Sequence, residues 1–115
     1  MRRELLFLEE MIDAAEQAYQ LTVGVTLAEL SIDRRLRDAL LWNFTVLGEA
    51  SGQIPDEVKA RFPEVPWRQP SRLRNRIVHG YWSVDLDVLL TTAQEQLPDF
   101  VRLIRQVEAT LAAEQ

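Results

Sequence analysis

Residues 72–81, with the sequence RLRNRIVHGY, concentrate the side chains of this 115-residue chain that suit catalysis. If the segment is helical, Asn75 and His79 lie four residues apart on the same face. Arg74 and His79 are five residues apart, roughly 140° around the helix axis, so they would flank a groove rather than touch. Tyr81 follows the glycine at the end of the segment, and its hydroxyl is expected to meet the same groove.

These residue types suit the cleavage of an RNA phosphodiester without a metal. A base draws the proton from the 2′-hydroxyl, a guanidinium stabilises charge on the phosphoryl oxygens, and an acid protonates the leaving oxygen. His79 falls in the last turn of the predicted helix, where the helix dipole favours the imidazolium form. Two proton transfers need two groups, and each chain has one histidine. A nuclease of this kind is therefore expected to be a twofold dimer with a composite site.

Arg72 and Arg76 share another face of this helix and are expected to support phosphate binding. The stretch Arg61–His79 holds five arginines against one acid, a formal charge of +4 in a chain whose net charge is −5. An acidic protein with one arginine-dense segment suits a local phosphate site rather than a general nucleic-acid coat. The same pattern also fits a structural role, in which the histidine caps the helix and the arginines bond to loop carbonyls.

Composition excludes several other kinds of site. The chain has no cysteine, which rules out disulfides, thiolate metal ligands and cysteine nucleophiles, and its one histidine rules out a histidine-rich metal site within one chain. No apolar run approaches the roughly 20 residues that a membrane span needs. We expect one domain over residues 1–115, located in the cytoplasm, with no membrane segment, signal peptide, metal or cofactor.

Apolar residues recur at helical spacing through most of the chain and predict the elements that position this site. No segment alternates apolar and polar residues as a strand does. The predicted fold class is all-α, an antiparallel bundle of four to five helices. Gly80 is expected to close the motif helix in a left-handed conformation. The predicted helices cover residues up to 23, Asp33 to about Ser51, a short stretch after Pro55, about Ser71 to His79, and a stretch from Asp85 that Pro98 kinks or restarts.

The helix from Asp33 is apolar on more than one face and is predicted to be the most buried, with Trp42 and Phe44 in the core. Trp67 is expected to pack the proline-rich loop against the bundle. Trp82 is expected at a dimer seam or a core edge rather than stacked on a base. The apolar stripe that ends the chain is expected to be core or interface.

The spacing Arg74, four residues, His79, one residue, Tyr81 resembles the motif of the HepT family, a branch of the HEPN superfamily of small helical proteins. An Arg-(four residues)-His pair alone is a weak pattern, but several ordered blocks within one short domain are a specific signal. Other blocks that resemble the family, in the same order, are Val46–Ala50, Val65–Arg68, Val84–Leu86 and Gln96–Pro98.

The resemblance implies a toxin of a type VII toxin–antitoxin system, an RNase that needs no metal and works as a homodimer with the motif helices facing one another. It implies that Arg74 and His79 are catalytic and that Asn75 supports them. The implied partner is a minimal nucleotidyltransferase (MNT) antitoxin, which transfers AMP from ATP to Tyr81 and so blocks RNA. Glu49 lies in a matching block and is expected to support the site or the helix packing rather than to react.

The residues also fit two other functions. One is a non-catalytic subunit whose arginine groove binds a nucleotide, or presents Tyr81 to a minimal nucleotidyltransferase. The other is a plain dimerisation bundle without a ligand. Loss of RNA cleavage in the variants Arg74→Ala and His79→Ala would separate the RNase from both.

Overall fold

The chain folds as a bundle of α-helices, as predicted. A computed structural model describes residues 2–115, and no strand occurs in this part of the chain. The helices are α1 (Arg3–Thr22), α2 (Leu27–Ile32), α3 (Arg34–Gly52), α4 (Asp56–Arg61), α5 (Arg68–Gly80), α6 (Leu86–Thr91) and α7 (Leu97–Ala113). A 3-10 turn over Tyr81–Ser83 follows α5, and a π-helical turn over Thr92–Gln96 joins α6 and α7 into one run.

The long helices pack antiparallel in the order α7, α1, α3, α5, which confirms the predicted bundle. Between α3 and α5, for example, Gly52 lies near Ser71 and Gly48 near Arg74, so the residue numbers run in opposite directions. Because α5 lies at one edge of this order, it packs extensively against a single long helix, α3. An apolar groove of about 320 Å³ lies between α5 and the α6–α7 run.

The prediction that the second long helix is the most buried is wrong, because α1 buries eight residues and α3 buries six. α5 has 13 residues and α3 has 19, so the shorter helix does not cover the full length of the longer one. The first buried residue of α3 is accordingly Leu40, almost two turns into the helix.

Phe44 is buried as predicted, but the prediction that Trp42 lies in the core is wrong, because 66% of its surface is exposed. α3 buries Leu40, Phe44 and Leu47, which recur at steps of four and three along one face. Trp42 is two residues from both Leu40 and Phe44, about 200° around the axis, and therefore lies on the opposite face. The apolar residues of α3 mark two faces, and the single chain covers one of them.

Gly80 ends α5 as predicted but is not left-handed, since its φ is −179°. The chain continues into the 3-10 turn, where the Ser83 hydroxyl donates a hydrogen bond to the Gly80 carbonyl at 2.7 Å. The left-handed glycine is instead Gly24, with φ 71°, in the turn after α1. There Gln94 of the π-helical turn donates its Nε2 to the Thr22 carbonyl at 2.7 Å, which ties the end of α1 to the last helical run.

Trp67 is buried and packs the proline-rich loop against the bundle, as predicted. Its indole N–H donates to the Phe62 carbonyl at 3.0 Å. Its own carbonyl accepts the hydroxyl of the fully buried Ser51 at 2.8 Å. These bonds fix the loop against α3 immediately before α5, which begins at Arg68, three residues earlier than predicted.

The last helical run begins and restarts where the sequence indicates. Asp85 caps α6 by accepting from the backbone N–H of Asp87 at 2.9 Å. Pro98 lies in the first turn of α7, directly after the π-helical turn, where a missing N–H is tolerated. Leu97 and Ile104 are buried in the core.

Among residues 2–115, no helix has the length and apolar character needed to cross a membrane.

Candidate active site

The candidate site is built where α3 and α5 meet at Gly48. A Cβ at this position would overlap the Cβ of Arg74 and the carbonyl oxygen of Pro70, so the close approach of the two helices requires glycine here. Ser71 donates its hydroxyl to the Gly48 carbonyl at 3.3 Å across the same contact. This contact brings Glu49, the next residue of α3, to the guanidinium of Arg74.

Two neighbours orient the guanidinium of Arg74. Its Nη2 lies 3.2 Å from Glu49 Oε2, and its Nη1 donates to Asn75 Oδ1 at 3.0 Å. Its Nε is buried and has no hydrogen-bond partner within residues 2–115. The side chain is 31% exposed, so the guanidinium is held in place and still open to an anion from solvent.

The other motif residues lie on the solvent side of α5. Asn75 and His79 are exposed, as are Arg72 and Arg76. Arg76 also contacts the Ser83 carbonyl through Nη2 at 3.4 Å, which is the loop-carbonyl contact expected of a structural arginine. Arg76 therefore has a part in holding the 3-10 turn, whereas the imidazole of His79 stands open in the last turn of α5.

Tyr81 and Trp82 project from the 3-10 turn that follows α5. Their side chains are 63% and 79% exposed, and their rings meet edge to face with centroids 5.4 Å apart. The exposure of Tyr81 leaves its ring open to a second molecule. For Trp82, the same exposure rules out the core edge, and the dimer seam stays a prediction.

Tyr81 also lines a groove of about 690 Å³ that the first half of α3 forms with the end of α5. The sequence did not predict that α3 contributes to the surroundings of the motif in this way. The available signal is the phase of Trp42, which is out of step with the buried positions Leu40 and Phe44. The residues that line this α3 groove are Arg34, Arg37, Asp38, Leu41, Trp42, Thr45, Ile77 and Tyr81.

The exposed face of α5 offers guanidinium, imidazole and amide groups, and the 3-10 turn after it adds the phenol of Tyr81. Guanidinium groups bind phosphate oxygens in a planar, two-point geometry, and an imidazole both accepts and donates a proton near neutral pH. No cluster of three or more metal-ligating side chains occurs in the described part of the chain. The groups present suit the binding of a phosphodiester and one proton transfer per chain.

Known proteins similar to this chain carry names that describe ribonucleases. The chain is 33% identical over 92 residues to "Probable ribonuclease HepT" of Thermococcus cleftensis, which covers 80% of this chain and 84% of that protein. It is 23% identical over 101 residues to "Putative RNase MJ0127" of Methanocaldococcus jannaschii, covering 88% of this chain and 84% of that protein. No solved structure matches the chain.

The sequence profile of the family described as "Ribonuclease HepT-like" matches residues 11–107. This range includes Glu49 on α3 and the whole RLRNRIVHGY segment with its 3-10 turn. The family resemblance inferred from the sequence motifs is confirmed. The chain belongs to the HepT-like ribonuclease family.

Proposed function

We propose that this chain is the toxin of a type VII HEPN/MNT toxin–antitoxin system, and that it is an endoribonuclease that needs no metal. The observation that carries the proposal is the guanidinium of Arg74, which Glu49 and Asn75 orient on the same helix that presents His79. The guanidinium is oriented and yet accessible, which is the arrangement that electrostatic stabilisation of a reacting phosphate needs. Membership of the HepT-like ribonuclease family supports the same function.

The proposed reaction uses the 2′-hydroxyl of the RNA as nucleophile. One His79 imidazole takes the 2′-proton, the 2′-oxygen bonds to phosphorus, and the bond from phosphorus to the 5′-oxygen breaks. A second, protonated imidazole gives its proton to the leaving 5′-oxygen, so the products are a 2′,3′-cyclic phosphate and a 5′-hydroxyl. Arg74 stabilises the charge on the phosphoryl oxygens, and Arg72, Asn75 and Arg76 support the binding of the strand.

The two imidazoles come from two copies of the chain in a symmetric homodimer. Val78, on the polar face of α5, is 49% exposed, and Trp82 beyond the helix is 79% exposed. Apolar groups at the border of a polar face gain free energy when a second subunit covers them. In such a dimer, guanidinium groups of the two motif helices face one another across the twofold axis and repel. A phosphodiester bound between them removes this repulsion.

Tyr81 is the proposed site of inactivation by a minimal nucleotidyltransferase antitoxin. Its side chain is 63% exposed and lies two residues from His79. An AMP transferred to its hydroxyl would add a bulky anion at the mouth of the site and repel RNA phosphates. Intact-mass measurement after incubation with the antitoxin and ATP tests this step, and the increase in mass should be absent from Tyr81→Phe.

RNA cleavage in EDTA tests the activity. Purified wild-type protein should cleave RNA. Expression of the wild-type chain alone should halt the growth of the cells. His79→Ala and Arg74→Ala should each reduce the cleavage rate by about 100-fold or more, since each removes a group that acts on the reacting phosphate. Arg102→Ala, an exposed arginine of α7, is the matched control and should cleave like wild type.

A subunit-mixing experiment tests the composite site. An excess of His79→Ala protein, equilibrated with wild type, should suppress cleavage because the mixed dimers contain a single imidazole. An unchanged rate in mixed dimers would contradict the two-histidine site. Wild-type protein that leaves RNA intact, while it still binds the nucleotidyltransferase, would favour the non-catalytic partner subunit instead.

A further inference from the structure

The α3 groove has the composition of a nucleotide-binding surface. It combines an exposed indole, two guanidinium groups and a phenol, and about 690 Å³ of space lies between them. Aromatic faces stack on bases whatever their sequence, and guanidinium groups bind phosphates, so this combination is typical of single-stranded nucleic acid sites. From these groups we infer that the α3 groove holds one nucleotide of the RNA strand beside the active site, an inference that rests on the proposed function.

Trp42 is the stacking group. It is 66% exposed, although its neighbours along α3 at steps of two, Leu40 and Phe44, are buried. The helix therefore places a large aromatic ring at the surface, where exposure has no benefit for the stability of the single chain. A base stacked on the indole covers this apolar face and leaves the polar edge of the base in water.

Arg34 and Arg37 are the phosphate-binding groups, one turn apart at the start of α3. Arg34 contacts Asp38 through Nε at 3.4 Å, a bond that does not use its two terminal nitrogens. Arg37 donates Nη1 to the Ser31 carbonyl, which fixes the side chain. Asp38 is the one acid among the described residues that line the groove, and its contact with Arg34 reduces its repulsion of a phosphate.

The position of the groove connects it to the proposed reaction. Ile77 of α5 and Tyr81 of the 3-10 turn form one wall, and Trp42 with the arginines forms the other. Trp42 and Thr45 also line the neighbouring pocket that contains Arg74 and Glu49, so a strand whose scissile phosphate lies at Arg74 is next to this groove. The groove then holds a nucleotide next to the cleaved bond, which makes Trp42 a determinant of substrate affinity and not of the chemical step.

The probe for this site is a fluorescein-labelled RNA oligonucleotide of eight nucleotides with 2′-O-methyl groups, which cannot be cleaved through the 2′-oxygen. Trp42→Ala should weaken its binding by about 5- to 150-fold, the range measured for the loss of one stacked base. Trp42→Phe, which retains a stacking face, should restore most of the affinity.

The double variant Arg34→Gln with Arg37→Gln should weaken binding. It should also lower the salt dependence of log K by about 0.7 for each phosphate that the protein no longer neutralises. Arg35→Gln is the matched control, because Arg35 is exposed on the same turn but does not line the groove. It should leave the affinity within about twofold of wild type, since surface changes away from a binding site have small effects.

Three results would overturn the inference. The first is unchanged binding of the oligonucleotide by Trp42→Ala. The second is a change from dimer to monomer in this variant by light scattering, which would show that a second subunit covers Trp42. The third is stronger competition by free AMP than by unlabelled oligonucleotide, which would show that the groove serves a mononucleotide. Because the probe cannot be cleaved, binding remains measurable even if the wild-type protein has no RNase activity.

Discussion

At the scale of single residues, the arrangement around Arg74 depends on one acid. Glu49 Oε2 lies 3.2 Å from Arg74 Nη2, and its side chain is 57% exposed. An ion pair this close to solvent contributes little to stability. Its effect is on the direction of the guanidinium, because without Glu49 only one terminal nitrogen, Nη1, would be held, by Asn75.

Glu49→Ala is expected to lower the cleavage rate about tenfold. Without Glu49, the guanidinium of Arg74 is free to rotate and is less often in the orientation that contacts the reacting phosphate. Glu49→Gln keeps an oxygen acceptor and should recover most of the rate. The change should appear in kcat with KM nearly constant, and the melting temperature should stay close to that of wild type. Glu10→Gln, an exposed acid beside the same surface, is the control. Wild-type rates in Glu49→Ala would contradict this role.

At the scale of elements, the contact between α3 and α5 brings the site together. Gly48 removes the side chain that would hold the helices apart, and Ser71 bonds across the contact. The distance between α3 and α5 at Gly48 determines the direction of α5. It also determines the wall of the α3 groove and the position of Glu49 beside Arg74.

The methyl group that Gly48→Ala adds overlaps Arg74 and the backbone of Pro70, and overpacking of this kind costs about 1–3 kcal/mol. Because alanine gains roughly 1 kcal/mol over glycine within a helix, the expected net loss of stability is up to about 2 kcal/mol. Gly52→Ala is the matched control on the same helix, since its new methyl group would lie 3.8 Å from Ser71 Oγ. Urea unfolding should show a loss of stability for the first variant and none for the second; equal stabilities would contradict the close approach of the helices.

The spacing of apolar residues along the chain predicted most of these helices, because the face on which a residue lies depends only on its distance along the sequence from nearby residues. The stripe of α1, the short helix after Pro55 and the restart at Pro98 follow from spacing and from proline chemistry alone. The pairing of Glu49 with Arg74 did not follow, since it joins residues 25 apart through a helix crossing. The prediction for Trp42 is wrong because α3 carries apolar residues on two faces, and its composition does not show which of the two faces the other helices cover.

At the scale of the whole molecule, ion pairs join helices that are distant in sequence. Arg61 of α4 binds Glu114 at the end of α7 through two bonds, Nη1 to Oε1 at 3.0 Å and Nη2 to Oε2 at 2.5 Å. Arg105 of α7 pairs with Glu16 of α1. The hydrogen bond from Arg61 lowers the pKa of the Glu114 carboxyl below its ordinary value of 4.5.

A carboxyl whose pKa is lowered by folding stabilises the folded state above its ordinary pKa and loses this contribution as the pH falls through the lowered value. Glu114→Gln should therefore reduce the melting temperature slightly at pH 7, and the difference should disappear well below pH 4.5. Thermal unfolding followed by circular dichroism from pH 7 to pH 3 measures it, with Glu64→Gln as control. A difference that grows as the pH falls would contradict the direction of the pKa change.

The edge position of α5 has a consequence for how the motif helix behaves in solution. It is anchored along one side by α3, and on its other flank the apolar groove separates it from the α6–α7 run. A helix with one supporting neighbour detaches at a lower free-energy cost than one between two neighbours. The proposed site therefore lies on a helix that has a single long neighbour, and any molecule that clamps α5 from its open flank supplies the second support.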